Sequence, residues 1–357
     1  MTRKSLRKRA AVLGSVCILA AHGAMPAHAA DSDDPRISLV QLAADRIDAV
    51  FRDVAASTRA LGDEYRTLAA NRSPVTDADK AAWTRRSTVK GTTAGFRTWP
   101  EGTPAPAFQA AFPGFYDYRG KGVTAETVAH LRDFERLLPL FRAAYRSFDF
   151  SWVYLTTADD LMLIYPYVPL DEAVNNAMPT RQVFYTAADF GRRAVGWTEP
   201  YLDLVGAGMM ITASYPIYAE DRLLGVASRD ITLKQLSRSV LSHLARGDSA
   251  RAFIIDKRGL AIAASDPGLA TELERVNTEN KAAVLFYRSS AALAKKVEPG
   301  AVISRFDWVD EVAEQVLARA ARSGASDAID MKVDGRRVLA ARIESTGWFV
   351  VLVDGKR

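Results

Sequence analysis

Cysteine is almost absent from this sequence of 357 residues: Cys17 is the single one, and it lies in the N-terminal leader. The mature chain therefore has no disulfide framework, no zinc–thiolate site and no cysteine nucleophile. Histidine is nearly as scarce. Beyond the leader only His130 and His243 remain. No apolar run outside the leader approaches the ~18 residues that a membrane helix needs. Excess charge is missing too. The opening nine residues, MTRKSLRKR, carry five basic groups; Ala10–Ala21 is apolar but short, and Ala27-His28-Ala29 has the small-x-small form of a cleavage site. This is the pattern of a secretory signal peptide cut after Ala29. Without it 42 basic residues face 42 acidic ones, so the basic balance of the whole sequence is no sign of a nucleic-acid partner. Val16 before Cys17 does not suit a lipoprotein site. The expected product is periplasmic or secreted, with no membrane insertion of the mature chain.

The common catalytic motifs are missing as well. There is no Gly-x-Ser-x-Gly elbow, no His-Glu-x-x-His and no phosphate loop ending in Gly-Lys-Ser/Thr. Gly206-x-Gly208 precedes a strand pattern, so it is no dinucleotide fingerprint. Asp159-Asp160 lacks further oxygen ligands at loop spacing and reads as a turn. Ser242-His243 lacks a third partner, and His130 lies beside an apolar helix face as a structural histidine. No metal and no cofactor are expected.

From Ser38 to about Asn71 apolar residues recur at three and four (Val40, Ala44, Ile47, Phe51, Val54, Leu61, Tyr65, Leu68), which predicts one long amphipathic helix. Ser73–Lys121, rich in Gly, Pro, Thr and Ala, reads as a long connection held by aromatic anchors. A second helix is predicted from Thr124 to about Arg146, kinked at Pro139. The pattern then changes to short strands. A hairpin over 152–165 is matched by one over 252–264. A second, over 209–231 with an Ala-Glu-Asp-Arg turn, is matched by 328–343 with a Val-Asp-Gly-Arg turn. A helix from Thr232 to about Leu244 separates the copies, and a last strand covers Trp348–Val353. Two repeated units imply an α+β protein of two lobes, each an antiparallel sheet with helices to one side. The expected divisions are 1–29 signal peptide, 30–73 long helix, 74–247 first lobe and 248–357 second lobe.

The stretch Trp197–Asp230 concentrates the polar and aromatic candidates. Its hairpin presents Tyr201 and Asp203 before the first strand and Asp230 at the end of the second. With Tyr165, Tyr167, Arg181, Phe184, Tyr185 and Trp197 they form a set that suits a small polar ligand. Other readings stand beside this one: Trp197 as a loop anchor, Tyr165 as core, Asp203 as a turn cap. Asp230, ending an apolar strand, needs a partner.

The run Tyr165-Pro166, Arg-x-x-Phe-Tyr-Thr-Ala-Ala (181–188), Trp-Thr-Glu-Pro-Tyr-x-Asp (197–203), Thr-x-Ser-x-Pro-Ile-Tyr (212–218) and Leu-Leu-Gly-Val-Ala-Ser-Arg-Asp-Ile-Thr-Leu (223–233) resembles the double Cache sensor domains of bacterial chemoreceptors, sensor kinases and diguanylate cyclases. The likeness is close over Val153–Leu236 and looser along the N-terminal helix and the second lobe. It implies a long helix with two PAS-like lobes and a ligand in the first. In the subgroup that binds α-amino acids it implies an Arg-x-Trp-Tyr segment, then Tyr-x-Asp, then a lone Asp. Tyr185, Tyr201-x-Asp203 and Asp230 match. Phe184 stands where tryptophan is usual, and Arg181 lies one residue early, with Gln182 in its place. If 181–185 is extended, a slip of one residue turns a side chain to the other face; a bulge would restore Arg181.

The expectation is an exported sensor that binds an α-amino acid or related amine, with an arginine on the carboxylate and aspartates on the ammonium. The sequence ends at Val353-Asp-Gly-Lys-Arg357, without a membrane helix, so output is expected through a membrane-bound kinase, cyclase or chemoreceptor. The rivals are a solute-binding or organic-acid-binding protein and an enzyme using Asp203 and Asp230 as an acid–base pair.

Overall fold

The computed structural model describes residues 34–104, 111–120, 122–147, 152–173, 178–203, 208–236, 241, 244, 250–280, 306–323 and 328–354. The signal peptide and Ser242-His243 lie outside them, as does most of the helix expected after Thr232. By compactness the chain divides into residues 1–34 and a body of residues 35–357. No helix among the described residues is long and apolar enough to cross a membrane.

The first helix, α1 (Pro35–Ala70), follows the predicted stripe and buries Val40, Ile47, Phe51, Val54, Leu61, Tyr65 and Leu68. Its first half shares a core with the C-terminal sheet, its second half with the N-terminal sheet. Gly62 permits close approach to that sheet: a Cβ there would lie 2.7 Å from Tyr215 Cδ1.

The stretch 73–121 departs from expectation. It is no mere connection, since it supplies α2 (Asp77–Arg85) and the strands β1 (Ser87–Lys90), β2 (Thr93–Phe96) and β3 (Gly114–Asp117). Helix α2 begins with a capping box: Asp79 N donates to Thr76 Oγ1 and Thr76 N to Asp79 Oδ2. Four-residue strands rich in Gly and Thr carry too little alternation to stand out from a loop. The expected aromatic anchoring is real, with Trp83 edge-on to Phe96 at 5.9 Å and Phe115 at 5.6 Å from Phe134. Phe134 belongs to α3 (Ala125–Ser147), which runs unbroken past Pro139.

Next come the hairpin β4 (Val153–Thr157) and β5 (Leu161–Tyr165), the short helices α4 (Leu170–Ala173) and α5 (Val183–Thr186), and the two-residue strands β6 (Gly196–Trp197) and β7 (Tyr201–Leu202). The long hairpin β8 (Met209–Ala219) and β9 (Arg222–Thr232) completes an antiparallel sheet in the order β1-β2-β3-β5-β4-β9-β8-β6, with β7 also on β8. The short helix α6 (Leu233–Leu236) follows. The second sheet is built from β10 (Ala250–Ile255), β11 (Ala261–Ala264), β12 (Ile329–Val333), β13 (Arg336–Ile343) and β14 (Trp348–Asp354), ordered β11-β10-β14-β13-β12 and antiparallel. The helices α7 (Pro267–Asn280) and α8 (Asp307–Ser323) accompany it.

Strand alternation gives the first sheet two faces. Ile211, Ala213, Ile217, Ala227, Ile231, Val153, Leu155 and Leu163 pack in the cores shared with α1 and α3. Tyr116, Tyr154, Met162, Ile164, Tyr201 and Met210 form a separate aromatic cluster. That second face carries the candidate site.

Candidate ligand-binding site

Asp230 is the centre of the second face and is 1% exposed. The β8–β9 register sets Thr212 directly opposite it. Thr212 Oγ1 donates to Asp230 Oδ1 at 2.6 Å, and the Tyr154 hydroxyl donates to the same oxygen at 3.0 Å. Tyr201 extends the chain, its hydroxyl 2.6 Å from Thr212 Oγ1. The main chain of Asp230 is fixed too, with its N–H donating to Trp152 O at 3.1 Å.

Burial pushes the Asp230 carboxyl up to about 8, the charge of Asp203 adds to this, and the hydrogen bonds from Thr212, Tyr154 and Tyr201 offset only part. A carboxyl taken out of water keeps its proton unless a cation compensates. No basic group figures among the causes of this shift. Tyr154 and Tyr201 are driven well above the ordinary phenol value, first by burial and then by the Asp230 charge. At neutral pH the cluster is an uncharged ring of donors around a protonated acid.

The sequence candidates divide over the two faces. Tyr201 and Asp230 are joined through Thr212, and Asp203 lies close enough to raise the Asp230 carboxyl. Phe184 stands edge-on to Tyr154 at 5.0 Å, and its carbonyl accepts from Ser214 Oγ at 2.5 Å, which ties α5 to β8. Tyr185 is buried nearby but packs with Ala188, Phe190 and Val226, its phenol raised to about 12 by burial and then by the Asp160 charge.

Two candidates lie elsewhere. Tyr165 pairs with Val153 on β4, one place out of phase with Tyr154, and so turns to the α3 side, edge-on to Tyr145 at 5.3 Å. Trp197 pairs with Ala213 rather than Thr212 and packs edge-on against Phe51 of α1 at 4.9 Å. Both are core residues of the helix face, a consequence of two-residue alternation.

The question of Arg181 changes form. Pro179–Arg181 is a 3-10 turn and Val183–Thr186 a helical turn, so no strand register exists there to be slipped or bulged. The fixed φ of Pro179 starts the turn. Arg181 is exposed; its N–H donates to Met178 O at 3.0 Å, while its guanidinium makes no hydrogen bond or ion pair among the described residues. Gln182 is half-buried, and its carbonyl accepts from the N–H groups of Tyr185 and Thr186.

Sequence reasoning passed over Tyr154 and Thr212. Continued without interruption from Ala219↔Arg222, the hairpin register would put Ile211 opposite Asp230. A register shift beside Ile217/Tyr218 brings Thr212 there instead.

A second cluster, Glu126, His130 and Asp159, brings ligand atoms within 4.8 Å of one another. A guanidinium fills it: Arg119 pairs with Asp159 and Asp117 and lies 3.8 Å from Glu126. His130 Nδ1 accepts from Arg72 Nη2 at 2.9 Å, which leaves the ring proton on Nε2, 3.7 Å from Asp159. The one ring lone pair of that tautomer, on Nδ1, is already engaged by Arg72 and by the Tyr65 hydroxyl at 2.6 Å. Burial, then the Arg72 charge, lowers the imidazole to about 4. His130 is structural, as its sequence setting suggested.

Residues 144–238 match the family described as methyl-accepting chemotaxis protein-like, first PDC sensor domain. Over those residues the chain is similar to a PDC sensor domain of this family. Over 90 residues the chain is 34% identical to the methyl-accepting chemotaxis protein McpC of Bacillus subtilis, a match taking in 25% of this chain and 13% of that protein. The chain thus spans a small fraction of that relative's length. The sensory domain of the Campylobacter jejuni chemoreceptor Tlp3 is similar over 90% of this chain and 92% of its own, at 13% identity and a TM-score of 0.47. The ligand-binding domain of the Pseudomonas aeruginosa amino acid chemoreceptor PctC, in complex with GABA, is similar over 58% of this chain and 74% of its own, at 21% identity and a TM-score of 0.37. The PDC segment contains the whole Asp230 cluster and the turn bearing Arg181 and Phe184.

Proposed function

We propose that the PDC sensor domain binds an α-amino acid or a related amine, with Asp230 receiving the ligand's ammonium group. One observation carries this reading: a fully buried carboxyl, hydrogen-bonded by Thr212 and Tyr154 and raised to about 8, with no cation of the described residues among the causes of the shift. An ammonium supplies the missing charge, and Asp203 adds a second carboxylate to the same field. Tyr154 and Phe184 offer aromatic surface, which favours cations. The carboxylate of an α-amino acid falls to the turn of Arg181 and Gln182. Arg181 stands exposed on that turn, so its engagement requires the turn to close on the ligand; an amine without a carboxylate requires no such closure.

On this reading the protein is a sensor rather than an enzyme. It is exported by the leader of residues 1–29 and works outside the cytoplasm. A membrane-bound chemoreceptor, kinase or cyclase receives its output, and no nucleic acid or metal takes part. The division into a first lobe over 74–247 and a second over 248–357 belongs to the same reading.

A thermal-shift screen of amino acids, amines and carboxylates, followed by calorimetry and recovery of the ligand, tests it. Stabilisation by ammonium-bearing compounds, returned unchanged, is expected. Stabilisation by carboxylates lacking an ammonium would favour an organic-acid site, and turnover would favour the acid–base pair Asp203 and Asp230.

A further inference from the structure

The five residues 197–201, from the end of β6 to the start of β7, touch three separate parts of the molecule. Trp197 packs on Phe51 of α1, which in turn meets Trp348 of β14 edge-on at 5.7 Å. Thr198 and Thr212 bond twice, through Thr198 N to Thr212 O at 3.0 Å and Thr212 N to Thr198 Oγ1 at 2.8 Å. Tyr201 closes the loop on the Thr212 hydroxyl. Glu199, between these anchors, points away to the second sheet, where it meets Arg258 Nη2 at 2.9 Å and Lys257 Nζ at 3.5 Å.

The Arg258 end of this contact is rigid. Asp256, with no exposed surface, accepts Arg258 Nε at 2.8 Å and Nη2 at 2.6 Å on one oxygen. Its other oxygen takes the N–H groups of Arg258 and Leu260 at 2.8 and 3.0 Å. The turn between β10 and β11 is thereby locked around a guanidinium aimed at the neighbouring sheet. Glu199 Oε2 is itself shielded from solvent, although both side chains of the pair are about a third exposed (34% and 35%), and it meets the guanidinium as an ion pair without an aligned hydrogen bond. Movement of the loop would part this carboxylate oxygen from its cation.

We propose that the Glu199–Arg258 ion pair is the contact through which the Asp230 cluster acts on the second sheet. Glu199 is a positioning residue that touches no ligand. Its loop holds the Thr212–Tyr201 arm of the cluster at one end and the β10–β11 turn at the other. A displacement of Tyr201 or Thr212 therefore reaches β10 and its partner β14. The inference rests on reading the Asp230 face as the ligand site, but the coupling itself can be tested without a ligand.

Hydrogen–deuterium exchange of the full chain measures amide protection in β10, β11 and their turn. Thr212→Val removes the hydroxyl that joins Tyr201 to Asp230 at nearly constant shape, and Tyr201→Phe serves if that variant does not fold. Either is expected to change exchange in residues 250–264 by about threefold or more, and the change should vanish in a Glu199→Gln background. The same change in both backgrounds, or none in either, overturns the proposal. A second arm adds L-isoleucine, L-arginine and 4-aminobutyrate as probes. A bound probe should alter the same amides in the parent protein, whereas Glu199→Gln should keep its affinity within about threefold and lose the change; a response that persists in Glu199→Gln overturns the coupling. If no probe binds while the mutational coupling is present, the proposed ligand class fails and the coupling stands.

Discussion

Arg229 and Asp230 are consecutive residues of β9 that bury a basic and an acidic side chain on opposite faces of one sheet. Arg229 bonds to Ser57 of α1 and, through Nη2 at 2.7 Å, to Ala144 O of α3. Asp230 faces Thr212 and Tyr154 on the other side. The adjacent guanidinium therefore gives Asp230 no ion pair, although the two share a peptide bond. Alternation thus turns the nearest guanidinium in sequence away from the acid.

The first prediction concerns pH and stability. The folded Asp230 keeps its proton up to about 8, whereas an unfolded Asp ionises near 4. Between those values the folded state binds more protons, so this contribution is complete below about pH 4 and is lost as pH rises through 8. The slope is at most ~1.4 kcal/mol per pH unit. Denaturant titrations of the ligand-free protein from pH 5 to 9 should show the decline, and Asp230→Asn should flatten it. An unchanged slope in that variant would sink the assignment.

Removal of the carboxyl is the second. Asp230→Ala should lower affinity for an ammonium-bearing ligand more than a hundredfold while the fold persists, since loss of one partner of a buried charge pair costs ~3–5 kcal/mol. In the parent protein calorimetry below pH 8 should register proton release on binding, because an ammonium favours the ionised acid. Binding without proton exchange would mean that the ligand's charge lies elsewhere.

The third separates two side chains of one turn. Arg181→Ala is expected to weaken a carboxylate-bearing ligand far more than Gln182→Ala does, and to leave a simple amine nearly unaffected. Greater damage from Gln182→Ala removes the guanidinium clamp and makes an amine without a carboxylate the better ligand class.

Two glycines should respond differently to alanine. At Gly62 the added Cβ meets the Tyr215 ring at 2.7 Å, and the overpacking cost of ~1–3 kcal/mol is partly offset by ~1 kcal/mol of helix propensity. At Gly196 it would meet the carbonyl oxygen of Ala187 at 1.8 Å, and backbone cannot rotate aside. Thermal unfolding should show a modest loss for Gly62→Ala and a much larger one, with detachment of the α5 segment, for Gly196→Ala. Equal losses would contradict the packing described.

Much of the frame could be read from the sequence, and the limits have physical causes. The three-and-four spacing from Val40 to Leu68 gives α1 because a long helix repeats its signal many times. The hairpins at 152–165 and 209–231 show through their turns. Tyr201 and Asp230 come together as the hairpin implied. Thr212 was hidden by the register shift near Leu224, which no composition signal marks. Tyr165 and Trp197 carry pocket-like chemistry, yet the parity of a strand decides the face, and parity depends on pairings distant in sequence. Arg181 was judged against a strand that is really a pair of short turns, because four residues after a proline suit either conformation.

Helix α1 has 36 residues, and at ~1.5 Å rise per residue its length is ~54 Å. One stretch near its middle is seated by Asp48, which accepts the Ser345 N–H at 2.7 Å, and by Phe51 against Trp348. A stretch towards its C-terminal end is seated by Gly62 against Tyr215 and by Tyr65 against His130 at 2.6 Å. A rod held at both places has no free play: a tilt of about one degree imposed at one seat would require, by geometry, a shift of roughly 0.4 Å at the other, ~21 Å away along the same rise. Helix α1 thus sets a fixed spacing between the two cores, and movement between the sheets is left to contacts such as Glu199–Arg258.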